Sequence, residues 1–278
     1  MSYPWPPLLP GDPDEVARRV AAVLDDAWQR LADKQRTAIV ALADTSRRVH
    51  VVATLEEFKA AIAVFRQRVD QEARAFVERQ LPHVYEEGAR AAAKAVDATA
   101  TFTWTTFHRD ALLALSADSY ADFLRRSEEA ERMATKFYRA ARAAARREVP
   151  LLAAGHMTAK QAARNVADLL LSEHQLRYVV YRNGARVPVQ VWAEAAVLTK
   201  SAVAYNAGTL NRTREAGVTV VEVFDGFGCG WTSHHDPDKA AKTLRSVEEA
   251  AEWPISHPRC RRAFGPRPDV QEVAPLGG

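Results

Sequence analysis

The residues able to do chemistry gather in one stretch, Phe224 to Arg267. Both cysteines of the chain, Cys229 and Cys260, lie in it, together with His234, His235 and His257. The spacing is Cys-x4-His, a long insertion, then His-x2-Cys. Two thiolates and two imidazoles suit a tetrahedral structural zinc site, so Cys229, His234, His257 and Cys260 are one candidate ligand set. Asp225, His235 and Asp236 would then stand behind the ligands or shape the loop. Two other readings of these residues stay open. In one, Trp231, Trp253 and Phe264 pack a turn-rich lobe, the cysteines are buried thiols, and Asp225 and His257 satisfy backbone groups. In the other, Cys229 and Cys260 form a disulfide, which needs an oxidising compartment.

The same loop has a catalytic reading. Asp225, His234, His235, Asp236 and Asp238 are metal-ligand types, and a bound metal can activate water in a nuclease or hydrolase. Against it, Asp236-Pro237 reads as a helix start, with a cap and a proline at the first helical position. No separate base, oxyanion donor or nucleophile elbow accompanies the loop. A phosphate-binding glycine loop and a His-Glu-x-x-His helix are also missing from the sequence. The reading adopted is a chain with no catalytic residues and no small-molecule substrate.

Cations form two further groups. Arg132, Lys136, Arg139, Arg142 and Arg146 recur every three or four residues, which makes one basic helix face. Such a face contacts DNA phosphates or an acidic partner; alternatively it is solvated and partly paired with Glu128, Glu129 and Glu131. Arg259, Arg261, Arg262 and Arg267 flank the cysteine loop. They suit nucleic acid or a carboxylate-rich partner, or simple pairing with Glu248, Glu249 and Glu252.

These groups need elements to position them. In 278 residues, apolar types make 47% and charged types 26%, ordinary values for a packed protein, and glycine is sparse enough to favour helix. A formal charge of +3 does not by itself demand nucleic acid. The proline-rich N-terminus lacks the basic region of a signal peptide, and no apolar run reaches the roughly 20 residues that span a bilayer. The expectation is cytoplasmic synthesis and no membrane partner.

Residues 1–13 read as a flexible arm. A first helix begins near Asp14, with Val16, Val20, Leu24, Ala27 and Leu31 on one stripe. Val49, Val51 and Val52 suggest a short extended piece. Thr54-Leu-Glu-Glu57 reads as a capping box before a stripe of Phe58, Ile62, Phe65, Val69, Ala73 and Phe76. Pro82 kinks or ends that helix, and an alanine-rich continuation runs to about Ala98. Phe102 and Trp104 anchor a connector. Helix resumes near Asp110 and runs again from about Ser119 to Ala153. Thr158-Ala-Lys-Gln161 opens a short helix to about Glu173.

The pattern then alternates. Tyr178–Tyr181 and Arg186–Val189 form a hairpin around Asn183-Gly184, a type I′ signal. A long helix follows, with Val191, Ala195, Leu198, Ala202 and Tyr205 inward and Lys200, Asn206, Asn211, Arg212 and Arg214 outward. Gly217 caps it. Val218–Phe224 is the strongest strand, and Val247–Glu252 is one or two helical turns. The fold class is α+β, mostly α: long N-terminal helices, then a small lobe with a hairpin, a long helix, a strand and the Cys/His loop. The expected divisions are an arm at 1–13, a helical assembly region at 14–165, an α+β domain at 166–268 and a flexible tail at 269–278.

One run of features in this order resembles a known family. It comprises Thr199-Lys200, Tyr205-Asn206-Ala207-Gly208-Thr209-Leu210-Asn211, Asp225-Gly226, the Cys229 turn, and Pro254-Ile-Ser-His257-Pro258-Arg259-Cys260-Arg261-Arg262. It is similar to the minor capsid or head-morphogenesis proteins of tailed bacteriophages related to the F protein of phage Mu. The wording from Cys229 to Lys239 and from Ser256 to Asp269 is similar to versions from phages of actinobacteria. The resemblance covers about 175–270 closely and 55–175, including Phe102–Asp110, more loosely. Many members carry Cys-x2-Cys and Cys-Arg-Cys here; this chain has Thr232 and Arg262 at the second positions, so zinc requires His234 and His257 as substitutes. The resemblance implies a structural virion protein, synthesised in the host cytoplasm. It would contact portal, scaffold or capsid proteins and possess a role in packaging, retaining or delivering DNA. A metal-dependent nuclease or hydrolase acting in packaging is the alternative, and a nucleic-acid-binding module is the second.

Overall fold

In a computed structural model, residues 13–43, 48–153, 159–181, 183–224 and 243–272 are described. Their order is helix α1 (Pro13–Ala43), α2 (Arg48–Ala75), a π-helical turn (Phe76–Gln80), α3 (Leu81–Val96), α4 (Thr106–Ala153), α5 (Ala159–Glu173), strands β1 (Tyr178–Val180) and β2 (Arg186–Pro188), α6 (Val189–Glu215), β3 (Val220–Phe224), β4 (Leu244–Ser246), α7 (Val247–Glu252) and β5 (Ala263–Pro266). The class is α+β, mostly α, as the sequence predicts. Among the described residues no helix is long and apolar enough to cross a membrane.

Two compact units interleave along the chain. One holds residues 1–20, 74–120 and 193–278; the other holds 21–73 and 121–192. The boundary expected near 165 falls within the sequence span of the second unit.

The second unit is built on aromatic contacts between amphipathic helices. Trp28 of α1 meets Phe65 of α2 edge-on with centroids 4.5 Å apart, and lies 6.1 Å from Trp192. Phe58 of α2 meets Phe137 of α4 at 4.9 Å. The predicted stripes of α1 and α2 are all buried. Two local expectations in this unit fail. Val49, Val51 and Val52 are helical, because α2 already starts at Arg48. Thr54 is therefore interior and caps nothing: its hydroxyl donates back to the His50 carbonyl at 2.7 Å. The box expected at Thr158 lies outside the described residues.

The hairpin is present, with Tyr178 opposite Pro188 and Val180 opposite Arg186. Its turn is not type I′, which needs positive φ at two successive residues. Gly184 has φ of 79°, but with Val180 opposite Arg186 the loop is longer than the two residues Asn183-Gly184. Gly184 N–H donates to Tyr181 O, and Tyr181 N–H to Ala185 O, each at 2.9 Å. This is a longer loop ended by a left-handed glycine, which Asn-Gly serves equally well.

In the first unit β3 is the central strand of an antiparallel sheet ordered β4-β3-β5. Val221 and Val223 join Leu210, Val247, Ala250 and Phe264 in one buried cluster. The Phe224 ring lies across Gly265 on the neighbouring strand, 2.8 Å from where a Cβ would sit. Two caps fix the sheet's neighbours. Gly217 at φ 73° ends α6, with Val218 N–H on Thr213 O and Gly217 N–H on Arg214 O, a Schellman pair. Ser246 and Glu249 form a reciprocal capping box that starts α7. Helix α4 is one continuous helix from Thr106. Pro82 sits in the first turn of α3, directly after the π-helical turn. Its absent N–H is tolerated where the hydrogen-bond pattern changes.

Helices α3 and α6 meet backbone to backbone. A Cβ on Gly88 would lie 2.0 Å from the Tyr205 carbonyl oxygen, and one on Gly208 would lie 2.1 Å from that of Tyr85. The Thr209 hydroxyl donates to both Gly88 O at 3.2 Å and Tyr205 O at 3.1 Å, where one proton is shared. Gly88→Ala and Gly208→Ala push backbone against backbone, so each is expected to cost at least about 1–3 kcal/mol. Urea denaturation midpoints check this, and wild-type stability in either variant contradicts the close crossing.

Candidate functional site

The C-terminal half of the predicted site is a turn that docks on α6. Cys260 N–H donates to His257 O at 3.0 Å, so residues 257–260 close a β-turn. Pro258 takes its second position and Arg259, at φ 64°, its third. That is the type II pattern, in which the third residue is normally glycine. A non-glycine residue left-handed here is strained by about 1–2 kcal/mol. Neighbouring contacts hold it in place. Arg259 N–H donates to the Thr199 hydroxyl at 3.2 Å, and its guanidinium reaches Glu194 at 3.5 Å.

Asn206 holds the turn from below. It is fully buried, and its Nδ2 donates to Pro254 O at 2.7 Å and to Arg262 O at 2.8 Å. One amide thus binds the chain on both sides of the His257–Cys260 turn. Its Oδ1 has no hydrogen-bond partner among the described residues. The two carbonyls can only accept, which fixes the amide orientation.

Residue by residue, the predicted zinc ligands divide. His257 and Cys260 share the turn and are both buried. His257 Nδ1 lies 2.8 Å from Pro258 O; a carbonyl only accepts, so Nδ1 carries the proton. In the neutral ring Nε2 then keeps its lone pair, the tautomer a metal-binding histidine needs. Cys229, His234, His235, Asp225 and Asp236 lie outside the described residues. Among the described residues, no three His, Cys, Asp or Glu side chains form a metal-holding group. Cys260 also lines a cavity of about 30 Å³ with Val84, Leu198 and Ser201, room for about one water.

The flanking arginines are used individually. Arg261 makes a two-pronged contact to Asp14 at 2.8 and 2.6 Å. Arg267 reaches Asp269 at 2.7 Å and Glu222 at 3.1 Å. These two do not pair with the Glu248–Glu252 segment; there, Glu248 receives Arg214. Arg262 is almost fully buried and gives Nη1 to Trp253 O at 3.4 Å. Arg132, Lys136, Arg139 and Arg142 lie along α4 in the second unit; Arg132 is 4.0 Å from Glu128. Arg146 is helical, and its side chain lies outside the described residues.

The inward face expected for α6 is also corrected. Val191 is exposed and Ala195, Leu198 and Ala202 are half-buried, whereas Ser201, Asn206, Thr209 and Thr213 are buried. Tyr205 is buried as expected, with Trp192, Val197 and Leu210, but α6 also buries polar side chains that bind backbone, which hydrophobic periodicity does not register.

A second buried group escaped the sequence. His108 of α4 is wholly buried between Tyr85 of α3 and Glu215 of α6. Its Nε2 lies 3.2 Å from the Glu215 carboxylate and its Nδ1 2.9 Å from Tyr85 Oη. Asn211 Nδ2 donates to the same Oη at 2.8 Å. The carboxylate accepts, so Nε2–H donates; with the ring neutral, Nδ1 takes the tyrosine proton. Burial pushes the Tyr85 hydroxyl up to about 12, which keeps it a donor. Burial alone would raise Glu215, but the hydrogen bond from His108, with Arg212, holds it below its ordinary value. The only hints in sequence were Gly88 and Gly208: interior helix glycines cost stability and need a packing reason.

No family model, curated protein or solved structure matches the chain.

Two outcomes follow from this geometry. Asn206→Leu leaves two buried carbonyls without donors and is expected to cost about 2–4 kcal/mol, judged by chemical denaturation. Asn206→Asp should be worse, since acceptors would face acceptors; a silent Asn206→Asp contradicts the latch. A depressed folded-state carboxyl contributes stability above its unfolded value, 4.5, and loses it as pH falls through the lower folded value. Glu215→Gln should therefore flatten the acid limb of a Tm–pH curve below about 4.5. An unchanged limb contradicts the His108–Glu215 pairing.

Proposed function

We propose that the chain is a structural minor capsid protein of a tailed bacteriophage. In this reading it is made in the host cytoplasm, enters the virion with the portal, and acts in head morphogenesis, DNA packaging or DNA delivery. It has no catalytic role. One observation carries the reading: the two stretches that bear the family resemblance bind each other. Thr199 and Asn206 of α6 hold Pro254, Arg259 and Arg262 through backbone hydrogen bonds. Residues spent on holding backbone are architecture, and the cavity beside Cys260 has room for about one water.

The same reading makes Cys229, His234, His257 and Cys260 a zinc staple for the lobe. Support comes from the His257 tautomer, whose Nδ1 proton is committed to Pro258 O. Zinc would supply folding energy there and no chemistry.

The test is incorporation. Mass spectrometry of purified procapsids and virions of the encoding phage should find the chain at low copy; absence from both overturns the proposal. Arg259→Gly relieves the strain at φ 64°. It should raise or preserve Tm, while incorporation falls if the exposed guanidinium meets a virion partner. Elemental analysis should give about one zinc per chain, lost in Cys260→Ser. A metal-free protein removes the staple and leaves the structural reading to the particle assay.

A further inference from the structure

The second unit carries a row of cations on α4 that, among the described residues, few carboxylates meet. From Arg132 to Arg147 the sequence has Arg132, Lys136, Arg139, Arg142, Arg146 and Arg147, and not one Asp or Glu. All six positions lie in α4, over about 24 Å of helix and within about 140° of its circumference. Like charges three and four residues apart repel, so this run weakens the helix that carries it. The nearby acids are few. Glu128 is 4.0 Å from Arg132, and Glu131 is 3.6 Å from Arg66. Glu56 is 3.8 Å from Lys59 and accepts the Tyr138 hydroxyl at 2.7 Å. Lys136 and Arg139 have no ion pair among the described residues.

The ridge separates two open grooves. One, of about 680 Å³, lies against α2, where Lys59 and Arg66 face Arg139 and Arg142. The other, of about 240 Å³, lies against β1, where Tyr178 and Val180 face Arg132 and Lys136. Tyr178 is an exposed aromatic beside these cations, and the Arg126 guanidinium covers the adjacent Tyr181 ring at 5.4 Å.

We propose that this ridge binds single-stranded nucleic acid, with the phosphodiester backbone along α4 and a base stacked on Tyr178. Arginine dominates the run, and its planar fork suits phosphate oxygens. A line of cations beside an exposed ring is the pairing that single strands require: charge for the backbone, a π-face for any base. An acidic protein surface would match the charge but makes no use of regular spacing over this length. The site is independent of the capsid reading and uses none of the residues that support it.

The experiment is fluorescence anisotropy of the full chain with a labelled single strand of about 20 nucleotides, long enough for one site. The duplex of the same sequence is run beside it. With about four phosphates neutralised, affinity for the single strand should fall about 50-fold between about 50 and 200 mM salt. Arg139→Glu with Arg142→Glu should weaken binding at least about tenfold and flatten the salt slope by more than about one. Arg109→Glu, exposed on the same helix outside the run, should leave it unchanged. Tyr178→Ala should weaken the single strand about tenfold and leave the duplex alone. Absence of low-salt binding, or binding indifferent to the double reversal, overturns the proposal. So does competition by polyglutamate equal to that of nucleic acid, which would assign the ridge to an acidic protein. Equal loss for both nucleic acids in Tyr178→Ala overturns the stacking.

Discussion

The first unit depends on two helix backbones lying closer than side chains allow. Gly88 and Gly208 face carbonyls on the opposite helix, with no room for a methyl group on either side. That approach puts Thr209 within reach of the Gly88 carbonyl. It also sets Tyr85 beside α6, where Asn211 can donate to its hydroxyl. The buried Tyr85–His108–Glu215 line follows from the same crossing, because its ends sit on α3 and α6. A wider crossing would break these hydrogen bonds together. Two glycines in helix interiors, each less favourable than alanine by about 1 kcal/mol, are the cost of this arrangement.

Asn206 extends the same logic to the C-terminal segment. It lies within one turn of Gly208, on the helix the crossing fixes. The segment from Trp253 to Arg262 has no regular structure, so its carbonyls need donors from elsewhere. One side-chain amide satisfies two of them. The strained Arg259 is tolerable because its N–H has Thr199 and its head has Glu194. Strain of this kind persists only where surrounding contacts over-determine it.

How much of this was legible depends on whether the signal was local. The stripes of α1 and α2, the Gly217 cap and β3 were read correctly, because each is written in neighbouring residues. Strands β4 and β5 were missed: Leu-Arg-Ser and Ala-Phe-Gly-Pro show no alternation, and they are strands only because β3 lies between them. Thr54 misled because a capping-box pattern also occurs inside helices, where the hydroxyl can bond back to the preceding turn. Asn206 was placed outward because polarity was equated with exposure, yet a buried asparagine is favourable when it serves backbone. Of the candidate site, His257 and Cys260 stand on one turn, while the polar side chains of α6 that hold this turn could not be read from hydrophobic periodicity.

The two units resolve charge in opposite ways. In the first, cations are matched singly: Arg261 with Asp14, Arg267 with Asp269 and Glu222, and the buried Arg262 with a backbone carbonyl. For Arg262 burial demands this, since an unmatched buried charge is far more costly than an exposed one. In the second, the cations of α4 stay in water, where mismatch is cheap and screened. A weak exposed repulsion is easily retained if it does something, and it can be relieved by any polyanion that follows the helix. The same residue type therefore means architecture in one unit and an unfilled electrostatic demand in the other, and an acceptor within reach is what tells them apart.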